Sequence, residues 1–183
     1  MIHSSDEDTI VAIATPPGEG GIGIVRLSGK NAVAIAETMF AAASKQPIAK
    51  QKSHTAVFGH LVDRFEASKI EVVDEALVLF MRAPKSYTGE DMVELQTHGG
   101  PAILQKAVAM ALREGARLAE KGEFTKRAFL NGHLDLIQAE GVLNLIQSKT
   151  ELARRLSSAE LHGRLSGQMK RMKESLVDIL ANL

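Results

Sequence analysis

Short apolar runs broken by glycine and proline mark the first two-thirds of the chain, and apolar residues at three-and-four spacing mark the last third. Residues 9–15 (TIVAIAT) form a β-branched run stopped by Pro16, Pro17 and Gly18, which predicts a strand. A glycine-rich loop follows, and residues 22–27 (IGIVRL) predict a second strand. Ser28 is placed to cap a helix over residues 31–43, whose apolar positions are Val33, Ile35, Ala36 and Met39. Residues 45–53 are polar and read as a loop. Residues 55–62 and 75–81 predict two further strands, with the charged stretch 63–74 as a hairpin connection. The loop 83–91 (APKSYTGED) leads to a strand over 92–97, and Pro101 is placed to open a helix over 102–113 that Gly115 closes.

That order of elements predicts an α/β (α+β) domain with a mixed sheet over residues 1–121. Over residues 122–183 the strand signals stop, and the start of an all-α bundle domain is expected. Helices are predicted over 123–130 and 135–147. Ser148 to Glu151 matches a capping box, and the helix it would open carries Leu152, Leu156, Ala159, Met169, Met172, Leu176, Ile179 and Leu183 on one stripe. Such a stripe needs a partner, and no glycine, proline or polar tail closes the helix, so the sequence reads as cut within the bundle.

Composition narrows the chemistry. Cysteine is absent, which removes disulfides, thiolate zinc sites and cysteine nucleophiles. Aromatic residues make up 4% and there is no Trp, so a base-stacking surface for single-stranded nucleic acid has little material. The formal charge is zero but uneven: residues 1–100 hold 9 Lys+Arg against 13 Asp+Glu, and residues 101–183 hold 13 against 9. A mildly basic second half suits an anionic partner such as tRNA, although a solvated helical face accounts for it as well. No basic leader precedes an apolar core and no apolar run approaches ~20 residues, so a cytoplasmic protein without membrane contact is expected.

The short motifs are weaker than they look. Residues 18–23 (GEGGIG) match the dinucleotide fingerprint by letter, but they run into a strand instead of opening a helix over a pyrophosphate. The alternative is a turn that allows close approach of backbone by a ligand or second subunit. No phosphate-loop sequence exists; the nearest stretch, Gly29-Lys30-Asn31, lacks both the leading glycine and the hydroxyl. The six histidines show no metal-ligand spacing, so no metal site is expected, and His98 beside two glycines reads equally as a site residue or a structural one. Glu94 is more informative. It sits mid-strand in MVELQT, where glutamate is depleted and costly to bury unpaired. It is either on a solvated face or an acceptor for a planar donor pair of the kind a pterin or guanine edge presents. Arg26, a lone cation within IVRL, poses the same choice, and its fork suits a carboxylate or phosphate.

Three segments, ATPPGEGGIGIVRLSG, SYTGEDMVELQTHGGP and KGEFTKRAFLNGHLDLIQAEGVLNLI, closely resemble consecutive segments of the MnmE/TrmE family of tRNA-modification GTPases. The resemblance covers essentially the whole chain, which would be less than half of a family member. It implies an amino-terminal domain similar to the folate-binding part of aminomethyltransferases, followed by a helical domain interrupted by a GTPase domain that uses GTP, K+ and Mg2+. It further implies a homodimer that binds 5-formyltetrahydrofolate. With the flavin-dependent partner MnmG/GidA, such a protein places an aminomethyl-type (carboxymethylaminomethyl) group on C5 of the tRNA wobble uridine. Position by position, the family's folate contacts fall on Arg26, Glu94 and His133. The last departs from the family lysine: imidazole is shorter and carries less charge near neutral pH. No catalytic residue is expected within these 183 residues, the GTPase domain lying outside them. Two other readings compete: a stand-alone folate-dependent one-carbon transferase, and a dimerising scaffold that contacts tRNA.

Overall fold

The computed structural model describes residues 8–66 and 69–181, and no helix among them is long and apolar enough to cross a membrane. They divide into two compact units, Met1–Phe124 and Thr125–Leu183. The division falls after Phe124, within the first turn of a helix.

The first unit is a mixed seven-stranded sheet with two helices, an α/β domain. Its strands are β1 (Ile10–Ile13), β2 (Gly23–Ser28), β3 (Phe40–Ala42), β4 (Thr55–Glu66), β5 (Lys69–Met81), β6 (Met92–Thr97) and β7 (Arg117–Leu118). Their order is β3-β4-β5-β6-β2-β1-β7, with α1 (Ala32–Met39) and α2 (Pro101–Arg113) between strands in sequence. Every pairing is antiparallel except β1 with β7.

Period-two alternation decides which face is covered. Val25 and Leu27 of β2, Val78 and Phe80 of β5, and Val93 and Leu95 of β6 are buried in one core. Ile35, Ala36 and Met39 of α1 and Leu104, Ala107 and Met110 of α2 belong to the same cluster. Each large side chain fully buried there stabilises the unit by roughly 1.5–3 kcal/mol. The intervening residues point to the opposite face, where Phe58 and Leu77 keep 49% and 42% of their surface in contact with solvent. Arg26 and Glu94 lie on this open face.

Two local readings of the sequence are corrected, and two features go beyond it. The first helix stops at Met39, because Phe40–Ala42 pairs with β4 opposite Leu61, His60 and Gly59. An apolar Phe-Ala-Ala run serves a helix or an edge strand equally well, and the unfilled edge of β4 decides it. Ser28 does not cap α1; the N-cap is Asn31, whose amide donates to Thr9 Oγ1 at 3.1 Å. The charged stretch 63–74 forms the expected hairpin connection and carries the ladder into it, with Val62 opposite Val72 and Asp63 opposite Glu71 beyond a bulge. β7 is a strand of only two residues, too short to show a period; the Arg117 amide donates to Thr9 O at 2.8 Å.

Helix α3 (Glu123–Leu130) crosses into the second unit, which also holds α4 (Leu136–Gln147), α5 (Glu151–Leu161) and α6 (Arg164–Ala181). A capping box exists, but at Asp135 and Gln138. Ser148 instead ends α4, donating its hydroxyl to Leu145 O at 2.8 Å, and Thr150 caps α5 through the Ala153 amide at 3.1 Å. Arg154 and then Arg155 bond the Glu151 carboxylate, holding its pKa down at about 2. The long helix expected beyond Thr150 is two helices, broken at Gly163, whose φ of +75° is a left-handed conformation that side chains resist. Leu156, Met169, Met172, Leu176 and Ile179 of the expected stripe are exposed, and Leu183 lies outside the described residues.

Candidate functional site

Strands β2 and β6 run antiparallel with Arg26 directly opposite Glu94. The same row continues to Ala12 on β1 and Leu79 on β5, so the two charged residues stand in an otherwise apolar row. Arg26 Nε and Nη2 both reach Glu94 Oε1, at 2.9 and 2.7 Å. Oε2 of the same carboxylate makes no hydrogen bond among the described residues. The side chains keep 27% and 12% of their surface in solvent, so the pair is largely but not fully desolvated. A shielded carboxylate with one committed oxygen and one open acceptor, braced by a guanidinium, is equipped to receive a planar donor edge.

Two rings stand against Arg26. The Arg26 guanidinium carbon lies 5.9 Å from the Tyr87 ring centre and 5.6 Å from that of Phe124. Both are within cation–π range. Tyr87 is placed by its loop: the Ser28 hydroxyl at the end of β2 lies 2.7 Å from Thr88 Oγ1 and donates to Glu90 Oε2 at 2.7 Å. Ser86 donates to Glu90 O at 2.5 Å, and Asp91 Oδ1 accepts the Ala83 amide at 2.8 Å. Phe124 is placed by the residue before it. The buried Glu123 carboxylate accepts Arg117 Nη2 at 2.6 Å and Nη1 at 3.0 Å, together with the Glu120 amide at 2.7 Å. Asp8 takes Arg117 Nε at 2.7 Å, and the Glu123 and Asp8 carboxylates together raise the pKa of that guanidinium. Neither ring carries a periodic or motif signal of its own; both lie inside the resembling segments SYTGED and KGEFT.

The glycine run 18–23 closes on the molecule itself. The Gly99 amide donates to Gly20 O at 3.1 Å, and a Cβ on Gly99 would stand 2.5 Å from that oxygen. A strand follows the run, so the geometry is not that of a dinucleotide loop. Beside it, His98 is held by Asp74, which lies 2.7 Å from Nδ1 and accepts the His98 amide at 2.8 Å. That contact raises the imidazole pKa above its ordinary value, while burial, which pushes the Asp74 pKa up, is outweighed by the His98 bonds. His98 borders a shallow hollow of about 230 Å³ on the open face, lined also by Ile22, Phe58, Leu77 and Gln96. His133 follows α3, in the second unit; its amide donates to Ala128 O at 2.8 Å and its side chain is exposed. Arg26 and Glu94 are therefore brought together within one sheet, and His133 belongs to a separate unit.

The family model described as the GTP-binding protein TrmE N-terminus matches residues 9–133. The chain belongs to the TrmE amino-terminal family. The matched segment takes in the β2–β6 pair and both rings, and it ends on His133. Relatives named tRNA modification GTPase MnmE are similar along nearly the entire chain. The one from Bacillus pumilus is 48% identical over 96% of the chain, and the one from Symbiobacterium thermophilum 50% identical over 97%. The relative from Enterococcus faecalis is 47% identical over 96%. The chain spans 37–38% of the length of these curated relatives.

Proposed function

We propose that this TrmE-family chain binds 5-formyltetrahydrofolate on the open face of its sheet, as the one-carbon-binding part of a tRNA-modifying GTPase. The Arg26–Glu94 pair carries the reading. The amino and ring N–H groups of a reduced pterin form a flat donor edge, and Glu94 Oε2 is an open acceptor in a shielded position. Arg26 braces the carboxylate through Oε1, and a guanidinium beside the open oxygen suits a carbonyl of the ligand. When bound, the folate supplies the one-carbon unit; the protein's part is to bind it, orient it and limit water around it. His133, at the position of the family lysine, is the third contact we assign.

The wider assignment rests on the relatives, whose printed name is tRNA modification GTPase. We place this chain in a homodimer that works with the flavin-dependent partner MnmG/GidA on the wobble uridine of tRNA. GTP, K+ and Mg2+ would act in a segment other than the 183 residues given, which contain no phosphate-loop sequence.

Isothermal titration of the chain with 5-formyltetrahydrofolate tests the reading. Saturable one-to-one binding is expected, reduced at least tenfold in Glu94→Ala and in Arg26→Ala, with both variants folded by circular dichroism. Absence of binding to the wild-type chain overturns the proposal.

A further inference from the structure

Binding at Glu94 raises a steric question. The carboxylate is 12% exposed, and Tyr87 and Phe124 lie over the guanidinium of its partner Arg26. A ligand that reaches Oε2 must therefore pass beside these rings or slide against them. Both rings are partly exposed.

The two rings are also held differently from the pair beside them. Each hangs from a firmly anchored backbone, Tyr87 from the Ser28–Thr88–Glu90 cluster and Phe124 from the Arg117–Glu123 ion pair. Both rings lie over one flat cation, Arg26, beside the Glu94 carboxylate. A planar heterocycle bonded to Glu94 would stand against the same rings and add a second flat surface to that contact while Arg26 keeps its bond to Glu94.

Resting on the folate reading above, we propose that Tyr87 and Phe124 are the stacking residues of the site. They hold the flat pyrimidine half of the pterin while its donor edge bonds Glu94. They thereby set specificity for a fused, planar ring over an open-chain ligand with the same acidic tail, because only the former gains ring contact. The hydroxyl of Tyr87 is not needed for this role; the ring face is.

The composition supplies the probe. Tyr87 is the single tyrosine and there is no tryptophan, so the tyrosine emission of the chain comes from this ring alone. The experiment measures Tyr87 fluorescence lifetime and calorimetric affinity on the wild-type chain with 5-formyltetrahydrofolate, with p-aminobenzoylglutamate as the ring-less control. It repeats the affinity on Tyr87→Leu, Phe124→Leu, Tyr87→Phe and Phe124→Tyr. Bound ligand is expected to shorten the lifetime. Each leucine variant should bind about threefold to tenfold more weakly, the range of an aromatic contact beyond its area. Each aromatic exchange should stay within about twofold of wild type, a rescue that simple loss of packing would not predict for one ring type alone. The control should not saturate. If the wild-type chain binds folate and the leucine variants bind it equally well, the stacking role is wrong and the folate site stands. An unchanged Tyr87 lifetime at calorimetric saturation also overturns it, even where a leucine variant fails to fold. If the wild-type chain does not bind at all, the folate reading falls first and the stacking role with it.

Discussion

Asp63 is the most revealing side chain to remove. It sits on β4 with 1% of its side chain exposed and carries a full charge in the first unit. Two cations of α2 hold it: Arg113 Nη2 donates to Oδ1 at 2.6 Å, and Lys106 Nζ stands 2.6 Å from Oδ2. The Arg113 bond, followed by that of Lys106, lowers the carboxyl pKa below its ordinary value despite burial. Asp63→Asn keeps the shape and removes the charge. Breaking a fully buried pair costs about 3–5 kcal/mol. Here the two cations are 44% and 41% exposed and swing into water when released, so the loss is smaller. Roughly 2–3 kcal/mol is expected, between a single charge-assisted hydrogen bond and a buried pair. That corresponds to a fall in Tm of roughly 4–10 °C for a chain of this size. The pH dependence has a fixed sign. A carboxyl with a folded pKa below its unfolded value adds stability above the unfolded value and loses it as pH falls through the folded one. The gap in Tm between wild type and Asp63→Asn should be full at pH 7 and narrow below about pH 4. Thermal melts followed by circular dichroism from pH 7 to pH 3 measure it. A variant melting within about 1 °C of wild type at pH 7, or a gap that stays constant to pH 3, would refute the argument.

Other outcomes follow from the same geometry. Gly99→Ala places a Cβ 2.5 Å from Gly20 O, so the glycine run must shift; a loss of about 2–4 kcal/mol in urea unfolding is expected, and a neutral result would show the run is slack. Asp74→Asn removes the carboxylate that raises the His98 pKa, so the imidazole titration read by proton NMR should move down toward the ordinary histidine value; an unmoved curve would mean the contact is absent in solution. Asp135→Ala deletes the side chain that accepts the Gln138 amide at 2.9 Å and should cost the second unit about 1 kcal/mol in thermal or urea unfolding, with no change refuting the cap.

Much of the sheet was legible because its apolar residues alternate strictly. The expected strand at 92–97 coincides with β6, and the turn to α2 stands where Pro101 puts it. What failed were elements whose reason for forming lies elsewhere in the chain. Phe40–Ala42 is a strand only because the edge of β4 is there to pair with. Residues 63–74 read as a charged hairpin connection, but the burial of Asp63 within them depends on Lys106 and Arg113, some forty to fifty positions later. Ser148 and Glu151 match a capping box by letter, yet α4 runs up to Ser148 and leaves Thr150 as the first free cap. The site divides in the same way. Arg26 and Glu94 stood out as charges in apolar strands, and register alone joins them. Tyr87 and Phe124 belong to loop and helix-start segments, where side-chain direction depends on anchors such as Ser28 and Arg117 that no period encodes.

The long hairpin formed by β4 and β5 spans two regimes of local stability within one strand. From Leu77 to Phe80, β5 is flanked by β4 on one side and β6 on the other, whereas from Lys69 to Val72 its ladder is with β4 alone. Amide exchange should therefore fall steeply along a single element, slow beside the Arg26–Glu94 pair and fast toward Ile70 and Val72, which are exposed. The hairpin's outer half can open while the inner half stays shut, so the floor of the site is insulated from the breathing of its own strand.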